Sequence, residues 1–273
     1  MISPGLERLL VCYVAVVSLI VLSPLVVVVM ESFTETSFVV FPPQGFSLQW
    51  YERFLNHREL MESFVISVVV ALCTALVGTV LAFGASVALV RSKFRGAMLA
   101  EAFLMAPFSL PTLVIGLALL QFLAGNGIAR SPAMLVCGHI VITLPFAIRF
   151  ISVALMTVDP ALERASQSLG ASPLKTFWLV TVPLARSRIV SRFIFLLVLS
   201  FDDVAVSLFL ANAQAVTLPV RLYLYIDTSY DPLVTAVSSV LIFASLLGMA
   251  AIERLVGISR FYGLKDTASD QDR

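Results

Sequence analysis

Leu162-Glu163-Arg164-Ala165-Ser166-Gln167-Ser168-Leu169-Gly170-Ala171-Ser172-Pro173-Leu174-Lys175-Thr176-Phe177-Trp178-Leu179-Val180-Thr181-Val182-Pro183 is a mixed polar and apolar island between long hydrocarbon runs. Just upstream, Asp159-Pro160 reads as a helix start, because an aspartate accepts from the first free amides and proline suits the first helical position. Glu163 then lies near the positive end of the helix dipole. Leu162, Ala165 and Leu169 fall on one face, and Gly170 is placed to end the helix in a left-handed cap. Ser172-Pro173 repeats the start signal, and Leu174, Phe177 and Trp178 form a second apolar stripe before Pro183. The stretch 159–185 is therefore expected to fold as two short helices joined by a glycine elbow. Such a knob is either a loop that packs on its own helices or a contact surface for something in the water phase. Composition leaves both open.

Outward from the island, the chain looks built for lipid. It has 273 residues, 59% hydrophobic and 13% charged, and a mean hydropathy of +0.99. Soluble domains carry about a quarter charged residues, so a polytopic, all-α membrane protein is expected. A formal net charge of +1 gives no basic footprint and excludes nucleic acid as a partner class. Cys12, Cys73 and Cys137 lie in apolar runs without metal-binding spacing and read as small hydrophobes. With His57 and His139 the only histidines, no histidine-based metal site is expected. His139, inside an apolar run, reads as a side chain bonded to a neighbouring helix.

Six spans are expected, at about 9–30, 63–90, 97–124, 131–148, 193–211 and 232–252, each near or above the length needed to cross roughly 30 Å of hydrocarbon. Together they form one membrane domain over 1–260, with a polar, disordered tail at 261–273. The first span is too long and lacks the small-residue site of a cleaved signal peptide. Between the first two spans, Leu48, Tyr51 and Leu55 share one helical face, with Trp50 and Phe54 on a neighbouring one. That pattern reads as an aromatic interfacial helix. Pro107 and Pro111 remove two backbone donors from the third span, which must bend or break where protein or a water-filled cavity satisfies the freed groups. The two prolines are thus pathway or gating candidates.

Orientation follows from charge. With the N-terminus inside, 14 of the 18 lysines and arginines fall on inside segments, and only Arg53, Arg58, Arg130 and Arg221 fall outside. This asymmetry puts both termini and the island in the cytoplasm of a bacterial-type inner membrane.

Gly170, a spacer of nine, Val180, a spacer of one and Val182-Pro183 resemble the EAA motif of ABC importer permeases. That pattern is Glu-Ala-Ala, three residues, Gly, nine residues, an aliphatic, one residue, Leu-Pro. The resemblance implies a type I permease whose knob docks on a cytoplasmic ATPase subunit, with Glu163, Arg164, Ala165, Leu169, Gly170, Ala171, Ser172, Pro173 and Phe177 as coupling residues. It further implies ATP and Mg on the partner ATPases and no cofactor on this chain, a second and homologous permease subunit in a heterodimer, and an extracytoplasmic solute-binding protein. One position departs: the family's glutamate falls on Arg164, its alanines on Ala165 and Ser166, and Glu163 is one residue early. Phe41-Pro42-Pro43-Gln44-Gly45-Phe46-Ser47-Leu48-Gln49-Trp50-Tyr51 and Ser200-Phe201-Asp202-Asp203 are similar to the second permease of spermidine/putrescine-type importers, over roughly residues 5–260. This implies a polyamine as solute; permeases for iron, phosphonates and other small ions share much of the pattern.

Asp202 and Asp203 interrupt the fifth span near the bilayer centre. An ionisable group facing lipid there costs on the order of 2.5–3.5 kcal/mol, so both are expected to face protein or water. They are read either as attracting a cationic solute along the pathway or as serving assembly and gating. An intramembrane enzyme would need a nucleophile with a base or a metal cluster, and neither Gly-x-Ser-x-Gly nor His-Glu-x-x-His occurs. The phosphate-cradling Gly-x-x-x-x-Gly-Lys-Ser/Thr loop is also absent, so ATP hydrolysis must come from another chain. A proton-coupled secondary transporter would use the acidic pair but leaves the island unexplained.

Overall fold

The computed structural model describes residues 4–92, 94–229 and 231–256; Lys93 and the expected tail at 261–273 lie outside them. In order the helices are α1 (Pro4–Glu31), α2 (Gln49–Asn56), α3 (Arg58–Arg91), α4 (Ala97–Met105), α5 (Thr112–Gly125), α6 (Pro132–Met156), α7 (Pro160–Ser168), α8 (Pro173–Thr176), α9 (Val182–Phe201), α10 (Ala205–Leu210), α11 (Leu218–Ile226) and α12 (Leu233–Val256). A 3-10 turn, Ala106–Ser109, follows α4, and a π-helical segment, Phe177–Thr181, joins α8 to α9. The all-α expectation holds.

The count of spans is less regular than six plain helices. Among the described residues, four helices are long and apolar enough to cross a bilayer: Gly5–Glu31, Arg58–Arg91, Pro132–Met156 and Leu233–Arg254. The span expected at 97–124 is instead a pair, α4 and α5, bent by 105° across the 3-10 turn. Pro107 and Pro111 account for the break, since each lacks an N–H and crowds the carbonyl four residues back. The span expected at 193–211 is also divided. Its apolar part, Ile189–Phe201, is short, and the helix stops at Asp202 before resuming at Ala205.

The described residues divide into two compact units, those within Met1–Glu62 and Arg221–Leu246 and those within Ser63–Val220 and Leu247–Arg273. In the first unit, α2 buries Trp50 and Phe54 while Leu48 and Leu55 stay exposed, so the aromatic face is the one that packs. Trp50 Nε1 donates to the Thr34 carbonyl at 2.9 Å, and the Tyr51 hydroxyl bonds to Ser32 at 2.6 Å and to Ser239 at 2.7 Å. Arg53 pairs with Asp231 at 3.4 Å.

In the second unit the core is built from small residues. Ala75 and Ala82 of α3, Ala147 and Ala154 of α6 and Ala185 of α9 are buried, with Ile148, Ile151, Leu155 and Leu196 filling the spaces between them. Lipid tails are as apolar as leucine, so helices associate here through close packing rather than hydrophobic expulsion, and small side chains permit that approach. A second cluster joins Ile115 and Leu123 of α5, Leu135 and Ile142 of α6, and Val206 and Leu210 of α10. Gly116 allows it: a Cβ there would lie 2.8 Å from Phe209 Cδ2 and 3.1 Å from the Ala205 carbonyl oxygen. Gly116→Leu is therefore expected to push α10 off α5 at a cost of roughly 1–3 kcal/mol, read as a lower thermal midpoint of the purified protein. An unchanged midpoint would show that the contact is dispensable.

Candidate functional site

The knob forms as its local signals dictate. Asp159 caps α7, its carboxylate accepting from the Ala161 amide at 2.8 Å, and Ser172 caps α8 by accepting from the Lys175 amide at 3.3 Å. Between them α7 ends in a Schellman turn. The Ala171 amide reaches the Ser166 carbonyl at 3.2 Å, the Gly170 amide reaches that of Gln167 at 2.9 Å, and Gly170 has φ +90, a conformation that glycine adopts without steric cost. The Ser166 and Thr176 hydroxyls, 3.1 Å apart, tie α7 to α8.

The second helix is not the separate short helix expected within 159–185: it runs from Pro173 through the π-helical turn and past Pro183 into α9. Proline mid-helix strikes the carbonyl four residues earlier, here that of Leu179, and a local π turn is one of the ways a helix absorbs such an insult. The knob is consequently continuous with a membrane helix.

The expected coupling residues divide by direction. Glu163 faces inward: its Oε1 lies 2.7 Å from Arg91 Nη2 at the end of α3 and accepts from the Thr181 hydroxyl at 2.7 Å. Arg91 Nη2 also donates to the Leu155 carbonyl at 3.2 Å. Phe177 faces inward too, its ring 5.8 Å from that of Phe83 on α3. Arg164, Ala165, Leu169, Gly170, Ser172 and Pro173 are exposed, and Ala171 is half-buried. Leu169 is 90% exposed, Leu174 69% and Leu162 49%, an apolar patch on the surface of the knob. A groove of about 620 Å³, floored by Leu162, Leu179 and Pro183 and edged by Lys175, opens beside them. Arg91 and Thr181 are the members that sequence reasoning missed. Arg91 read only as a charge ending a span, and nothing local pairs it with a residue 72 positions on.

At the break between α9 and α10 the two aspartates have separate fates. The Asp203 carboxylate accepts from the Val206 and Ser207 amides at 3.0 and 2.9 Å, satisfying two of the free donors at the start of α10. It also approaches His139 Nε2 at 3.6 Å. His139, fully buried, bonds to Ser200 at 2.7 Å and Ser207 at 2.8 Å, so α6 grips both sides of the break as its sequence context suggested. Asp202 is exposed. Pro111 precedes α5 with φ −58 and ψ 134, and Pro107 lines an apolar groove of about 550 Å³ with Phe103, Leu110 and Phe122. That groove is lined by hydrocarbon and does not include either aspartate.

The described residues thus give apolar helices broken at two places, with a capped two-helix knob leading into one of them. Residues 78–259 match the family of binding-protein-dependent transport system inner membrane components, and the chain belongs to that family. It is 29% identical over 223 residues to the spermidine/putrescine transport system permease protein PotC of Haemophilus influenzae, covering 82% of this chain and 86% of that one. It is 28% identical over 229 residues to the putrescine transport system permease protein PotI of Escherichia coli K12, covering 81% of each. A bacterial ABC transporter that imports alginate contains a chain of the same fold, with a TM-score of 0.68 at 14% identity over 93% of this chain and 98% of that one. The protein is thus a multi-pass permease of an ABC importer, resident in the inner membrane.

Proposed function

We propose that the chain, with residues 1–260 as one membrane domain and both termini cytoplasmic, forms half of the pathway by which a polyamine crosses the membrane. A homologous second permease supplies the other half, an extracytoplasmic binding protein delivers the solute, and ATP and Mg bind on separate ATPase subunits docked at the knob. The observation that carries the substrate reading is Asp202. A carboxylate exposed at membrane depth is costly against lipid, so its place is beside a watery path or a partner subunit, where it attracts an ammonium without enclosing it. Asp203, by contrast, is already occupied as a helix cap. The names of the polyamine permeases that this chain resembles point the same way.

Two measurements test this. In the purified complex with its own binding protein, spermidine or putrescine is expected to stimulate ATP hydrolysis; stimulation by another solute alone overturns the polyamine assignment. Asp202→Asn is expected to lower polyamine uptake several-fold at unchanged protein level, by removing one attractive charge worth about 1 kcal/mol to an ammonium roughly 4 Å away in a watery path. Wild-type uptake in that variant removes Asp202 from the path.

A further inference from the structure

The family pattern places a glutamate where this chain has Arg164, and the only nearby glutamate, Glu163, is already engaged. Its side chain is 19% exposed, with the carboxylate held by Arg91 and Thr181. One residue on, about 100° around the helix, Arg164 is exposed and makes no ion pair or hydrogen bond among the described residues. Lys175 is likewise exposed at the edge of the groove. The only other carboxylate on the knob, Asp159, accepts from its own helix. What the knob offers outward is therefore two exposed cations, Arg164 and Lys175, with Lys175 and Leu169 both lining the largely apolar groove.

We infer that the ATPase contact of this permease has inverted polarity: the ATPase surface that receives the knob presents one or more carboxylates to Arg164 and Lys175, and an apolar side chain to the groove beside Leu169. Glu163 is a positioning residue that binds the knob to the end of α3 and to the π-helical turn. The inference rests on the reading that the knob docks on an ATPase. Charge complementarity selects the partner's chemistry, since a basic cleft, suited to a glutamate at the family position, would meet Arg164 as a like charge. Juxtaposed like charges at an interface cost several-fold to many-fold in affinity, and salt weakens the attractive arrangement.

The test uses the complete importer, with ATPase retention and transport measured separately. Arg164→Glu is expected to reduce ATPase co-purification roughly ten-fold or more, with Arg164→Lys near wild type. Reversing one acidic residue of the ATPase surface to arginine is expected to restore the Arg164→Glu complex. Glu163→Gln is expected to keep the ATPase bound while transport per bound ATPase falls. Full retention in Arg164→Glu alongside loss in Gly170→Val would leave docking intact and overturn the inverted polarity. Loss in Glu163→Gln with retention in Arg164→Glu would overturn it as well. Retention in both Gly170→Val and Arg164→Glu would remove docking at the knob altogether. An Arg164→Glu defect confined to anionic nanodiscs and absent in phosphatidylcholine would assign the arginine to lipid headgroups and overturn the proposal.

Discussion

Gly170→Val is expected to leave the membrane helices folded while ATP-driven uptake falls ten-fold or more. The reason is conformational rather than steric. Open space surrounds the position, with nothing within 4 Å of an added Cβ, yet its φ is +90, and a β-branched residue is a severe outlier there. Forcing an L side chain into the left-handed region costs roughly 1–2 kcal/mol, and valine adds its own χ1 restriction. The turn would relax instead, and with it the amide contacts from Ala171 to Ser166 and from Gly170 to Gln167. Those two bonds set the angle between α7 and α8, so the docking surface proposed above loses its shape. Gly170→Asn, which tolerates this region, is expected to retain most activity. Equal activity in the valine and asparagine variants would show that the turn geometry does not matter.

Asp203→Ala is expected to have the largest effect on the protein itself. It strips the acceptor from the Val206 and Ser207 amides, and a buried donor left without a partner costs about 1–3 kcal/mol. Two such donors are a large share of a margin that is about 5–15 kcal/mol for a typical domain, so the amount of folded permease in the membrane should fall several-fold. Asp203→Asn keeps an acceptor oxygen and should be far milder. The contrast with Asp202→Asn is the discriminating measurement: the first position should change how much protein accumulates, the second how fast each molecule works. Identical phenotypes at both positions would show that the structural separation of the pair has no functional meaning.

Much of this was legible in residue order because it rests on local chemistry. Asp159-Pro160, Gly170 and Ser172-Pro173 each announce a cap within a few residues, and all three caps are present. Pro107 and Pro111 announce the break in the third span, though not its 105° bend, because the angle depends on what packs against each arm. The continuation of the second knob helix past Pro183 into α9 was not legible. A proline normally marks an end, and only the neighbouring packing decides between stopping a helix and loosening one turn of it. The pairing of Arg91 with Glu163 was invisible for the opposite reason, as it joins distant segments through geometry that no spacing encodes. Likewise, adjacent aspartates look interchangeable in sequence, and only the backbone at the break assigns Asp203 to the amides and leaves Asp202 outside.

The π-helical turn at Phe177–Thr181 also gives the chain a spare register. An α-helix advances about 100° and 1.5 Å per residue, and a π turn holds one residue more than its α counterpart. Were that surplus residue to be passed along or expelled, everything beyond it, down to Asp202, would turn by about a quarter of a revolution with almost no travel along the axis. The knob and the acidic break sit at opposite ends of one shaft, and a single slipped thread between them is enough to make that shaft turn.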